Sequence, residues 1–199
     1  MILPIVAYGD PVLRKKAVDI TKDYPGLSQL IANMFDTMNN SKGVGIAAPQ
    51  VGVSIRLFII DTAPYVSDDD EDDEEEDDED DKEELRNFKK IFINAQILKE
   101  EGEKWKFNEG CLSIPTIRED VERQPEVRIR YLDENFVEHE ESYKGLRARI
   151  IQHEYDHIDG ILFTDKINPL RKRLLKRKLT DISKGLVEVN YKMKFFVKK

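Results

Sequence analysis

Gln152-His153-Glu154-Tyr155-Asp156-His157 sets two imidazoles four residues apart, with a carboxylate directly after the first. On a helix, side chains at i and i+4 share one face, so both rings reach a common centre without distorting the backbone, and Glu154 projects toward the same cavity. Neutral imidazole nitrogens bind a divalent cation of borderline softness, and a nearby carboxylate can take a proton from water held there. The chain has only three histidines, so chance is a poor explanation for two of them in this string. Leu146, Ile150, His153 and His157 fall on one helical stripe, which predicts an amphipathic helix whose polar pair, turned inward, needs partners. A metal-bearing helix late in the chain, with metal-assisted hydrolysis as its chemistry, is the reading from which the rest is built.

A catalytic site of this kind takes three protein ligands and leaves a position for water. In the longer pattern His-Glu-x-x-His-x-x-Gly-x-x-His, Gly160 occupies the glycine position but Phe163 stands where the third histidine would be. No glutamate occurs between Glu154 and Glu188, and Glu188 lies in an alternating pattern that turns it to solvent. Upstream is Cys111, the only cysteine, within Glu109-Gly110-Cys111-Leu112-Ser113-Ile114-Pro115. A lone cysteine is most often a small buried hydrophobe. Gly110 and Pro115 instead suggest a shaped loop or strand end, which keeps Cys111 open as a ligand. His139, on an expected hairpin strand without a spaced partner, is read as a surface histidine.

Three motifs stand in order: Gly43-Val44-Gly45-Ile46-Ala47-Ala48-Pro49-Gln50, then Glu109-Gly110-Cys111-Leu112-Ser113, then Gln152 to His157. With the opening Pro4-Ile5-Val6-Ala7-Tyr8-Gly9-Asp10-Pro11-Val12-Leu13-Arg14, they make the chain resemble the peptide deformylases, metallohydrolases that remove the formyl group from the N-terminal methionine of new polypeptides. The resemblance implies Cys111, His153 and His157 as ligands of one divalent metal ion, with water in the fourth position. It implies a metal-bound hydroxide attacking the formyl carbon to release formate, with Glu154 as general acid and base. Gln50 and the backbone N–H of Leu112 would donate to the oxyanion. The backbone at Val44 and Gly45 would pair with the substrate as an added strand, the bare Gly45 letting the ligand approach. Fe(II) is the expected native ion, with zinc, nickel and cobalt as alternatives that these ligands do not separate. N-formylmethionyl nascent peptides are the expected partners.

The first motif carries no nucleotide: Gly43-Val44-Gly45 lacks a third glycine at the right offset, and Pro49 interrupts the helix such a loop would open. An electron-transfer copper centre is excluded because the axial methionine has no candidate. Two rivals remain, a zinc endopeptidase and a metal-binding module without activity. Cys111 as ligand argues against the first, and Glu154 with Gln50, which a purely structural site does not require, against the second.

The 199 residues, 40% hydrophobic and without a Pro, Gly or Ser-rich linker, predict one domain over 1–199. A single cysteine excludes an internal disulfide, the opening Met1-Ile2-Leu3-Pro4 does not read as a signal peptide, and no stretch reaches the ~20 apolar residues of a membrane span. A reducing cytoplasm is the expected setting. The net charge of −8 hides an unbroken acidic run from Asp68 to Asp81, without which the remainder is +6. Such a run repels itself and buries no apolar surface, so a disordered acidic insertion is expected at about 67–83, a solvated filler rather than a docking element.

Apolar spacing predicts a helix over Gly26 to Asn40, strands over Ile55 to Asp61 and Ile91 to Leu98, and a hairpin from Val127 through Tyr143. Asn168 to Lys184 opens with Pro169 and carries a basic face, read as solvated in preference to a weaker alternative, contact with the ribosome surface. The tail from Val187 to Val197 alternates as a half-buried strand would. The fold class is α+β, with antiparallel or mixed sheets wrapped around a central metal-bearing helix and a helix and strand at the C-terminus.

Overall fold

The computed structural model describes residues 1–63, 83 and 85–196. The acidic insertion expected at about 67–83 lies outside the described residues but for Glu83. The chain runs through β1 (Ile5–Val6), α1 (Leu27–Asn40), β2 (Gly45–Ala47), β3 (Leu57–Asp61), β4 (Lys89–Glu101), β5 (Trp105–Cys111) and β6 (Ile114–Arg123). It continues through β7 (Glu126–Leu132), β8 (Glu138–Lys144), α2 (Gly145–Ile158), α3 (Pro169–Ser183) and β9 (Met193–Lys194). Five strands form one antiparallel sheet in the order β2-β3-β4-β7-β8, β5 and β6 form a separate hairpin, and β1 pairs in parallel with β9.

All five residues of β3 are buried. Side chains alternate along a strand, so a continuous apolar run suits a strand covered on both faces. Leu57 and Ile59 pack with Ile31, Met34 and Met38 of α1, while Phe58 and Ile60 join the cluster of Ile151 and Ile158 from α2. Phe58 stacks on Phe92 of β4 at 4.6 Å between ring centroids. Each such burial stabilises by roughly 1.5–3 kcal/mol relative to exposure. A third cluster, with Leu13, Ile117, Val121, Phe163 and Leu179, ties the β5–β6 hairpin to the N-terminal segment and α3.

The fold is the expected α+β arrangement, and α1 matches its predicted span, with Gly26 in the left-handed region at its N-cap (φ 73°). Two expectations are corrected. The single apolar stripe on α2 is too narrow: nine of its fourteen residues are buried, including Arg149, Gln152, Glu154 and Asp156. The helix lies between the large sheet and the hairpin, so it meets protein on more than one side. The tail keeps its alternation of burial from Val187 to Phe196, but forms a ladder only at Met193–Lys194. Its partner β1 is only two residues long, which limits the pairing; residues 197–199 lie outside the described residues.

Candidate active site and metal centre

The second half of α2 carries His153, Glu154 and His157, and Cys111 ends β5 beside them. The ligand atoms of Cys111, His153 and His157 all lie within 4.8 Å of one another, and Cys111 Sγ is 3.3 Å from His157 Nε2. One thiolate and two imidazoles spaced so closely fit a single divalent ion of borderline softness. Phe163, where the longer zinc pattern would put a third histidine, is buried and stacks on the His153 ring at 6.2 Å. Glu188 is exposed and, although it lines the same cleft as Cys111 and His153, is not one of the three residues whose ligand atoms converge. His139 bonds Asp133 Oδ2 at 2.9 Å on the far hairpin, as a surface histidine would.

A buried charge network that the sequence reading missed holds the cluster in place. His153 Nδ1 is 2.9 Å from Glu109 Oε2, which leaves Nε2 for the centre. Glu109 also accepts from Arg123 at 2.7 and 3.0 Å and from Arg149 at 3.0 Å, and Arg123 reaches Asp156 Oδ2 at 2.7 Å. Burial would raise the Glu109 carboxyl, but bonds from His153 and Arg123 outweigh it and hold the group well below the usual carboxylate range. Burial would lower His153, yet its bonds to Cys111 and Glu109 raise it well above the ordinary value. Burial, reinforced by the charge of His153, pushes His157 well below its ordinary value and keeps it neutral, as a ligand must be. The signal in the sequence was Glu109 beside Cys111, because a ligating imidazole regularly gives its other nitrogen to a carboxylate.

Glu154 is buried, and its Oε2 has no hydrogen-bond partner among the described residues. Burial pushes its carboxyl up to about 7, the range in which one group can both accept and return a proton. Gly45 is also bare for a reason internal to the protein. A Cβ there would lie 2.6 Å from Glu154 Oε1, so the bare glycine makes room for this carboxylate in the first place.

Gln50 follows β2 in a short helical turn and is fully buried. The Ala47 N–H donates to its Oε1 at 2.8 Å, which turns Nε2 toward Cys111 Sγ at 3.5 Å and Ser113 Oγ at 3.3 Å. Leu112 sits in the turn between β5 and β6, beside Cys111. Val44, Gly45, Leu112, Leu146, Ile150 and Glu154 line one cleft of about 730 Å³ with Cys111 and His153. β2 is the edge of the sheet, so one side of its backbone has no neighbouring strand among the described residues.

The geometry thus brings Cys111, His153, His157, Glu154, Gln50, Leu112, Val44 and Gly45 into one region, and leaves His139 and Glu188 out of the ligand group. Residues 2–173 match the family model described as polypeptide deformylase. The chain is 62% identical over 195 residues to a peptide deformylase of Christiangramia forsetii, covering 98% of this chain and 96% of the relative. It is 57% identical to one of Flavobacterium psychrophilum over the whole of both chains. Among solved structures, it is similar to a peptide deformylase of Plasmodium falciparum (35% identity, TM-score 0.76, 91% and 95% covered) and to one of Legionella pneumophila (34%, 0.75, 94% and 98%).

Proposed function

The chain belongs to the polypeptide deformylase family, whose members are hydrolases, and from that premise we propose how its residues remove the formyl group from new polypeptides. Cys111, His153 and His157 would hold one divalent ion, which when bound would supply Lewis-acid activation of water. Fe(II) is proposed as the native ion, with zinc, nickel and cobalt compatible with the same ligands. Glu154 takes the proton from the attacking water and returns it to the leaving amine. Gln50 Nε2 and the Leu112 N–H donate to the oxygen that gains charge at the formyl carbon. The edge of β2 at Val44 and Gly45 pairs with the formyl-methionyl peptide, and the cleft walls take its first side chain.

We take residues 1–199 as one catalytic domain acting in the cytoplasm on nascent formylated chains. No helix among the described residues is long and apolar enough to cross a membrane. The basic face of α3 is read as solvated.

The observation that carries this reading is the close approach of Cys111 Sγ to both His157 Nε2 (3.3 Å) and the Gln50 amide (3.5 Å), which supports taking Cys111 as a ligand and Gln50 as a neighbouring oxyanion donor. The test is anaerobic purification with elemental analysis, and assay of the same sample for formate release from a formyl-methionyl peptide. Near-stoichiometric iron with formate release is expected. Full turnover in a sample stripped of divalent metal would overturn the mechanism.

A further inference from the structure

The turn at Leu112 and Ser113 is gripped from outside by both ends of the chain. The Tyr8 N–H donates to the Ser113 carbonyl at 2.8 Å, and the Tyr191 hydroxyl donates to the Leu112 carbonyl at 2.8 Å. The two ends are themselves tied together, since Ile5 N–H donates to the Lys192 carbonyl at 2.8 Å and Ala7 N–H to the Lys194 carbonyl at 2.9 Å. These bonds make a closed brace around the turn. Inside it, Ser113 Oγ meets the Gln50 amide at 3.3 Å, so the turn and the side-chain donor are set relative to each other.

An oxyanion donor is effective only when aimed, at about 2.7–3.1 Å from the developing charge. A misplacement of about 1 Å can cost on the order of a hundredfold in rate. Leu112 lies in a turn between two strand ends, where the backbone has more freedom than within a ladder. The bond to its carbonyl limits that freedom. The Tyr191 ring is half-buried against the α1 cluster and would cover it equally well without a hydroxyl.

We propose that Tyr191 is a positioning residue for deformylation, its hydroxyl fixing the Leu112–Ser113 peptide and so restraining the Leu112 backbone torsions that aim the Leu112 N–H, from the adjoining peptide, at the point the Gln50 amide also faces. The proposal rests on the reading of the Leu112 N–H as an oxyanion donor.

Tyr191→Phe keeps the ring and removes only the hydroxyl. With a formyl-methionyl peptide, kcat should fall about tenfold while KM moves less than about twofold and metal content holds. An unchanged kcat overturns the proposal, and so does a rise in KM alone, which would make Tyr191 merely a wall of the cleft. Replacing Leu112 by its α-hydroxy acid analogue, which exchanges the N–H for an ester oxygen, tests the underlying reading and should cost about a hundredfold or more in kcat. Full activity in the ester protein would defeat the donor reading and the proposal with it. A slow ester protein beside a fully active Tyr191→Phe protein would defeat the proposal alone. If Tyr191→Phe also lowers the Tm, the combined variant decides. Adding it to the ester protein should cost less than about twofold further, because the donor it aims is gone, whereas a full tenfold loss would indicate general destabilisation and overturn the proposal.

Discussion

Two helices, α2 and α3, are both rich in charge and have opposite fates. α2 buries Arg149, Glu154 and Asp156, whereas α3 buries only Leu175, Leu179 and Ile182 and leaves Arg171, Arg173, Lys176, Arg177 and Lys178 exposed. What differs is the supply of partners. Glu109 and Arg123 from the hairpin meet Arg149 and Asp156, offsetting a desolvation cost of several kcal/mol per ion. Glu154 is the exception, buried with one oxygen unpartnered among the described residues, and it is the residue proposed for proton transfer. On α2, then, paired charges join the helix to the hairpin and an unpaired carboxyl is the one proposed for proton transfer, while a charge on α3 mostly faces water.

Glu154→Ala is the strongest test of that division. Turnover should fall by about 10² to 10⁴, the range for general acid–base groups, with metal content and Tm close to the parent. Stopped assays for formate, with elemental analysis, check it, and a variant retaining parental turnover would remove Glu154 from the chemistry. Cys111→Ser comes next. A hydroxyl is a poorer ligand than a thiolate, so metal retention through dialysis should drop by more than the 10–100-fold typical of changes one layer further out. Equal metal content would sever Cys111 from the centre.

Glu109→Gln probes the paired side. It leaves Arg123, Arg149 and His153 without their shared counter-charge, which should cost about 3–5 kcal/mol, the usual penalty for breaking a buried pair. At about 2–4 °C per kcal/mol for a chain of this size, calorimetry should record a Tm lower by roughly 6–20 °C, with metal affinity down about 10–100-fold. A Tm within a degree or two would show that the network is not what holds the hairpin to α2.

The legible parts of this molecule are those with local signatures. The period of α1, the apolar run of β3 and the four-residue spacing of His153 and His157 each sit within about twenty residues, and the motif order supplied Cys111 and Gln50. The network was not legible, because its members come from separate elements: Glu109 lies 14 residues from Arg123, 40 from Arg149 and 44 from His153. Periodicity also failed at α2, since a helix covered on several sides has no single apolar stripe. The contact that keeps Gly45 bare became visible only when Glu154 was found against it, 109 positions away in the sequence but adjacent in space. The tail failed in a third way: its alternation was right, but a ladder needs a partner, and β1 offers two residues.

The smallest expected effect lies beside α3. Asp165 pairs with Arg14 and, at 2.7 Å, with Lys172. Burial would raise its carboxyl, but bonds from Arg14, Lys172 and the Leu162 N–H outweigh it and bring the group down to about 2. A carboxylate lowered on folding adds stability that is present above its ordinary value near 3.8 and is lost as pH falls toward 2. These side chains are 29–42% exposed, so water screens them and the gain should stay below about 1 kcal/mol. Asp165→Asn should therefore lower the Tm at pH 6 by no more than about 4 °C, with the gap closing between pH 4 and 2. Thermal scans at pH 6 and pH 3 check both size and direction. A loss at pH 6 as large as that of Glu109→Gln would erase the contrast between the two helices, because charge at the surface would then count as much as charge held inside.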